Sequence, residues 1–185
     1  MNIREFSFNL QIIYEEMGEA FSALQSTTGL NCLPGCGRCC MNPDIEASVM
    51  EMLPFALKMY DDGRLDEWLL KTESPGRNFC LLLEPHGDEG KGACLSYEER
   101  PSICRMFGVA GYFDKNHSPT LSVCKYIKEN HLDLPKAQAS TPMLTHWSSK
   151  MASLHPELTK TKLPMNQAIR EALNRVAFMA QYKQV

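Results

Sequence analysis

Nowhere in the 185 residues is there a run of about eighteen uncharged apolar residues, the length a helix needs to cross a bilayer, so no transmembrane helix is expected. Long blocks of one charge are missing too. With 22 acidic and 19 basic residues the net charge is −3, which supplies no basic stripe for nucleic acid and no polybasic patch for an anionic membrane. The opening MNIREFSFNLQIIYEEMGEAF lacks the unbroken apolar core of a secretory signal, because Glu5, Glu15 and Glu16 interrupt it. Export is therefore not expected, and a cytoplasmic setting is. Repeats and low-complexity tracts are absent. What remains is an ordinary globular composition, 44% hydrophobic and 22% charged, long enough to fold without cross-links.

Apolar periodicity points to helices. Ile3, Phe6, Leu10, Ile13, Met17, Phe21 and Leu24 recur at steps of three and four over residues 3–28, and Gly29 is a natural stop. A second helical pattern opens at Pro43 and carries Ile45, Val49, Met52, Leu53, Leu57 and Tyr60, with Pro54 as a potential kink. RLDEWLLK is a short amphipathic piece. FCLLLE and ACLSY, separated by the turn-rich PHGDEGKG, read as two strands or extended loops. RPSICRMF then predicts a helical turn, VAGYF an extended piece and SVCKYIKE a third short helix. Thr141-Pro142 and Leu163-Pro164 each begin a helix, and the pair should pack on the amino-terminal helices.

Cysteine is absent from the last fifty residues and concentrated before them. NCLPGCGRCCMN holds Cys32, Cys36, Cys39 and Cys40 within nine positions; Cys80, Cys94, Cys104 and Cys124 follow, dispersed. In a reducing compartment clustered thiols serve as metal ligands or catalytic groups more often than as disulfides. Thiolates are soft, charged donors, and a four-thiolate shell suits structural zinc and iron–sulfur clusters alike. Cys36, Cys39 and Cys40 stand at i, i+3 and i+4, so one helical turn would bring them to one face. An extended backbone would instead aim Cys39 and Cys40 at opposite sides, toward two centres or one polynuclear centre. Pro34, Gly35 and Gly37 disfavour a continuous helix and suit a loop whose amides can turn toward sulfur. Four thiolates on a divalent core leave a net charge of about −2, which Arg38, Arg105 and Lys125, each beside a cysteine, could moderate.

The knot at 32–40, then Cys80-Leu81-Leu82-Leu83, Cys94 with Tyr97-Glu98-Glu99-Arg100-Pro101-Ser102-Ile103-Cys104-Arg105, and Cys124 resemble the CxxCxxCC zinc- or iron-chelating family, the YkgJ-like cysteine-cluster proteins, over about residues 30–126. The resemblance implies a bound metal, zinc or iron, with the eight cysteines as its ligands. Three residues separate Cys32 from Cys36 where the family name has two. Flagellin lysine N-methylases are similar through the same cysteine domain, but this chain has no glycine-rich nucleotide loop and that activity is not carried over. Pro101 would open a helix carrying Cys104 one turn in, on the side of Arg100, whose guanidinium could then reach a thiolate or a carboxylate.

Rival readings are weaker. Cys32-x₃-Cys36-x₂-Cys39 resembles the radical S-adenosylmethionine spacing, but that likeness implies an aromatic residue where Arg38 stands and a barrel larger than this chain allows. A disulfide scaffold and a Cys39–Cys40 redox switch need an oxidising compartment or a dedicated partner, and vicinal cysteines bridge only with strain. His86, His117, His131, His146 and His155 share no ligand spacing and suit surface or capping roles, His86 between two cysteines being the one to watch. The methionines suit gap-filling in a core, and Asp88, Glu89, Glu98 and Glu99 suit solvated charge.

The expectation is one domain over 1–185, with a cysteine-cluster core at 30–126 and a helical extension at 135–185. Its class is mostly α (α+β), helices packed around an irregular cysteine-lined core with short strands or extended loops. Cys32, Cys36, Cys39, Cys40, Cys80, Cys94, Cys104 and Cys124 are the candidate ligands of an iron–sulfur cluster, [4Fe–4S] first, or of zinc; Arg38, Arg100, Arg105 and Lys125 are the candidate surrounding cations. Electron transfer or metal handling is the expected role, and a metalloenzyme with a protein redox or substrate partner is the alternative.

Overall fold

Residues 2–74, 77–87, 90–131, 134, 141–182 and 185 are described by a computed structural model. The first helix, α1 (Ile3–Thr28), begins where Asn2 accepts the Arg4 amide and ends where Gly29 takes the left-handed conformation that a residue with a Cβ avoids. Its buried face is the sequence stripe, Ile3, Phe6, Leu10, Ile13, Met17 and Phe21, joined by Tyr14.

The second helical pattern is shorter than its periodicity suggests. Residues 43–52 form turns, a two-residue strand β1 (Glu46–Ala47) and a 3₁₀ turn (Met50–Met52); only α2 (Leu53–Asp61) is α-helical. Pro54 lies in its first turn, where the missing N–H has no intrahelical acceptor to lose, so it starts the helix rather than kinking it. Leu53, Phe55, Ala56, Leu57 and Met59 are all buried because α2 packs between α1 and the last helix. After α3 (Leu65–Glu73), β2 (Leu83–Pro85) and β3 (Gly92–Cys94) form an antiparallel ribbon. A short α4 (Ser102–Met106) leads into the hairpin of β4 (Val109–Phe113) and β5 (Pro119–Val123). SVCKYIKE is therefore only half helical: Ser122 and Val123 belong to β5, and α5 (Lys125–Lys128) starts after Cys124.

The remaining elements are α6 (Leu144–Leu154), α7 (Glu157–Lys160), β6 (Leu163–Pro164) and α8 (Met165–Gln181). Helix α6 packs on α1, and α8 packs on α2 and α3. Strand β6 pairs antiparallel with β1, Ala47 opposite Leu163, and thereby fixes the start of α8 beside the chain that leaves the cysteine knot. The protein is thus mostly helical with short two-stranded antiparallel sheets. A large core under α1, α2 and α8 is accompanied by a small one of Leu30, Val109, Val123 and Ile127 beside the knot. Asp88, Glu89 and positions 135–140 lie outside the described residues. Among the described residues no helix is long and apolar enough to cross a membrane.

Candidate metal centre

The knot is held against the β2–β3 ribbon by its glycines. The Gly37 amide donates to the Gly90 carbonyl and the Gly92 amide to the Gly35 carbonyl, both at 2.9 Å, with Cys36 opposite Lys91 between them. Cys39–Met41 then winds into a 3₁₀ turn. That turn, rather than an extended backbone, sets the vicinal cysteines: their sulfurs lie side by side at 4.0 Å.

Three more cysteines reach this turn by different routes. The Cys80 amide donates to the Cys40 carbonyl at 2.8 Å. On either side of Cys80, the Asn166 side chain donates to the Phe79 carbonyl at 2.9 Å and accepts from the Leu81 amide at 2.8 Å, so the start of α8 clamps this loop as a second strand would. Cys94 ends β3, opposite Leu83. Cys104 lies in α4, whose first residue, Ser102, donates through both its amide and its hydroxyl to Glu51. The fully buried Glu51 carboxylate also accepts from the Ser48 amide at 2.9 Å, the Ser48 hydroxyl at 3.0 Å and the Lys162 ammonium. Cys32 and Cys124 meet at Gly108: the Cys124 amide donates to its carbonyl at 2.7 Å, and the Cys32 sulfur would lie 3.2 Å from a Cβ placed there.

Glu51 and Asn166 are the organising residues that sequence reasoning missed. A lone acid inside the apolar run VMEMLPF was a signal for the first, since carboxylates are buried only when fully hydrogen-bonded. Asn166 had none, because its partners are backbone atoms more than eighty positions away.

All eight cysteines are free thiols, and their charges act on one another. Burial pushes the Cys32 thiol up, and Cys36, Cys39 and Cys124 add to the rise. Burial raises Cys80 to about 11 and Cys104 further, each also feeling Cys39 and Cys94, while Cys94 is raised by burial and by Cys39. Cys39 is common to both groups. Its own thiol falls to about 6 because Cys40 hydrogen-bonds its thiolate, and Cys40 is raised by the same contact: the pair gives up one proton readily and holds the other. Backbone amides oppose the cost of burial, those of Leu82 and Leu83 facing the Cys80 sulfur and that of Ser96 facing Cys94.

This donor set fits a thiophilic metal. Thiolates crowded in a partly desolvated space repel one another and gain most from a shared cation, and amides directed at sulfur are what metal–thiolate sites use to spread charge. The approach is loose: among the described residues no three Cys, His, Asp or Glu side chains lie close enough to hold a metal ion as they stand. The closest approach described is that of the Cys39 and Cys40 sulfurs, and the other thiols are related to them through electrostatic range.

Among the four candidate cations, Arg100 has a charge that lowers the thiols of Cys32, Cys39, Cys94 and Cys104. Its Nε donates to the Tyr97 carbonyl at 2.8 Å and its guanidinium stacks on the Tyr97 ring. Arg38 and Lys125 both lie over the Tyr126 ring, at 4.3 and 4.7 Å. Arg105 turns to α1, over the Tyr14 ring, and donates to the Arg100 and Glu98 carbonyls. Arg38 and Lys125 thus hold a ring of α5, and Arg105 a ring of α1 and two carbonyls of the 97–101 loop. Glu99 is not simply solvated, since it accepts the Ser96 hydroxyl at 2.5 Å. His86 is exposed beside Glu84, and the His146 and His155 rings pack edge-on to Trp147 and Phe6.

Residues 31–131, more than half of the chain, match the family described as CxxCxxCC, putative zinc- or iron-chelating domain. The chain belongs to this family. The matched span opens one residue before Cys32 and closes after Cys124, so all eight thiols of the CxxCxxCC domain fall inside it. No curated protein and no solved structure matches the chain.

Proposed function

We propose that Cys32, Cys36, Cys39, Cys40, Cys80, Cys94, Cys104 and Cys124 are metal ligands that hold iron as one or more iron–sulfur clusters, used for electron transfer or metal handling. The observation that supports this reading is the position of Cys39, side by side with Cys40 at 4.0 Å and near enough for its charge to raise Cys32 on one side and Cys80, Cys94 and Cys104 on the other. One mononuclear ion takes four thiolates at most. Eight thiols arranged around a shared member suit two centres, or one polynuclear centre whose ligands sit on different irons and so need not touch. Bound iron–sulfur would supply redox chemistry; the chain's own residues would orient the sulfurs, and Arg100 would offset their charge. The helical extension then belongs to the same unit as the cysteine core, because Asn166 positions the Cys80 loop.

Zinc is the second reading, and the 4.0 Å between the Cys39 and Cys40 sulfurs favours it, being near the roughly 3.8 Å separating two sulfurs on one tetrahedral zinc. Anaerobic purification with elemental analysis and visible absorption tests both. A brown protein containing iron and acid-labile sulfide supports the cluster, a colourless one containing zinc supports the alternative, and eight titratable thiols without metal overturn both. Cys36→Ser and Cys94→Ser should each lower metal content; an unchanged content removes that residue from the ligand set.

A further inference from the structure

A cavity of about 230 Å³ has four of the thiols, Cys39, Cys40, Cys80 and Cys104, in its wall. The rest is not built for metal. Ile45, Phe79, Phe107 and Met165 supply an apolar lining, and the exposed Arg77 and Asn78 stand where it meets solvent. Only one N–H of the Arg77 guanidinium is used among the described residues, donated to the Leu81 carbonyl at 3.3 Å, while its plane lies over the Phe79 ring at 4.7 Å.

We infer that this cavity binds a small, flat, mostly apolar molecule bearing one anionic group, with its apolar body against Phe79, Phe107 and Met165 and its anion at Arg77. Size sets the first limit: the volume is below the roughly 300 Å³ at which drug-sized pockets begin, so one or two rings fit and a folded partner does not. Charge sets the orientation. The guanidinium with unused donors at the outer end attracts an anion, while Phe79, Phe107 and Met165 offer the apolar body no charged partner, so the anionic end of the ligand faces Arg77. That this end meets a metal rests on the metal-centre reading; the cavity itself does not.

Equilibrium dialysis of the full chain, as purified anaerobically, against 2-naphthoate and its neutral analogue 2-naphthalenemethanol tests this, with metal content measured on each sample. Saturable binding of both probes is expected, 2-naphthoate the tighter. Arg77→Gln should weaken 2-naphthoate about three- to fivefold, as for an exposed ion pair, and leave the alcohol unchanged. Asn78→Trp, at an exposed position that leaves the core alone, should block the mouth and weaken both probes by about tenfold or more. Failure of both probes to bind the wild-type chain, or equal affinities in wild type and Asn78→Trp, overturns the proposal. A metal-loaded chain that binds neither probe refutes the cavity and leaves the metal centre standing; a metal-free chain that binds both, with the expected variant effects, supports the cavity while removing the metal.

Discussion

The amide of Cys80 donates to the carbonyl of Cys40 at 2.8 Å, so two distant cysteine segments are joined through the backbone. Asn166 secures the joint by pairing with the residues on either side of Cys80. The geometry of the thiols therefore depends on a residue of α8, far outside the cysteine motifs.

Asn166→Ala should leave the Leu81 amide and the Phe79 carbonyl without their partner and destabilise the chain by about 1–3 kcal/mol. Metal content should fall with it, because Cys80 loses its fixed approach to Cys40. Denaturant unfolding with metal analysis of the folded fraction checks both; full metal loading in the variant would show that the clamp has no bearing on the site.

Glu51 ties Ser48, Ser102 and Lys162 together and sets the start of α4, which carries Cys104. Glu51→Gln keeps the shape but loses the charge that pairs with Lys162. Because the Lys162 side chain is about a third exposed (32%), water recovers part of the loss, and about 1–3 kcal/mol is expected rather than the larger cost of a fully buried pair. A double-mutant cycle with Lys162→Met should show a coupling that vanishes once the carboxylate is gone.

Gly108 has φ +107, and a Cβ there would press on the Cys32 sulfur at 3.2 Å. Gly108→Ala should cost about 1–3 kcal/mol through backbone strain and shift Cys32 away from Cys124. In the metal-free chain Cys32 should then react faster with a thiol reagent than in wild type, read by peptide mapping.

The metal-free, reduced chain should show two opposed pH dependences. The Cys39 thiol, held near 6 by Cys40 against an ordinary value of 9.0, contributes stability that is fully present above 9.0 and is lost as pH falls through about 6. The raised thiols of Cys32, Cys40, Cys80, Cys94 and Cys104 act the other way, contributing stability below their ordinary value of 9.0 that is lost as pH rises beyond it toward their folded values. Stability should therefore climb from about pH 6 toward 9 and decline above 9, as followed by denaturant midpoints. Thiolate absorbance should titrate near 6, and Cys40→Ala should move that midpoint up toward the ordinary thiol range.

Local pattern made much of the helical frame legible. The α1 stripe, its Gly29 stop and the buried Trp147 and Met151 of α6 follow from side-chain periodicity, because burying an apolar face is a local arrangement of residues three and four apart. The same rule overextended the second helix across residues 43–52, where pairing of β1 with β6, a contact between residues far apart in sequence, overrides the apolar spacing.

The amino-acid sequence by itself determined the eight thiols, their grouping into a knot and four dispersed members, and the family to which they belong. Only the tertiary structure decided which loops face one another, that Arg100 stacks on Tyr97 while Arg105 turns to Tyr14, and that Glu51 and Asn166 hold the surrounding segments. The division has a physical cause: sulfur chemistry belongs to each residue, whereas hydrogen bonds to backbone atoms and electrostatic fields depend on distances that exist only once remote segments are packed.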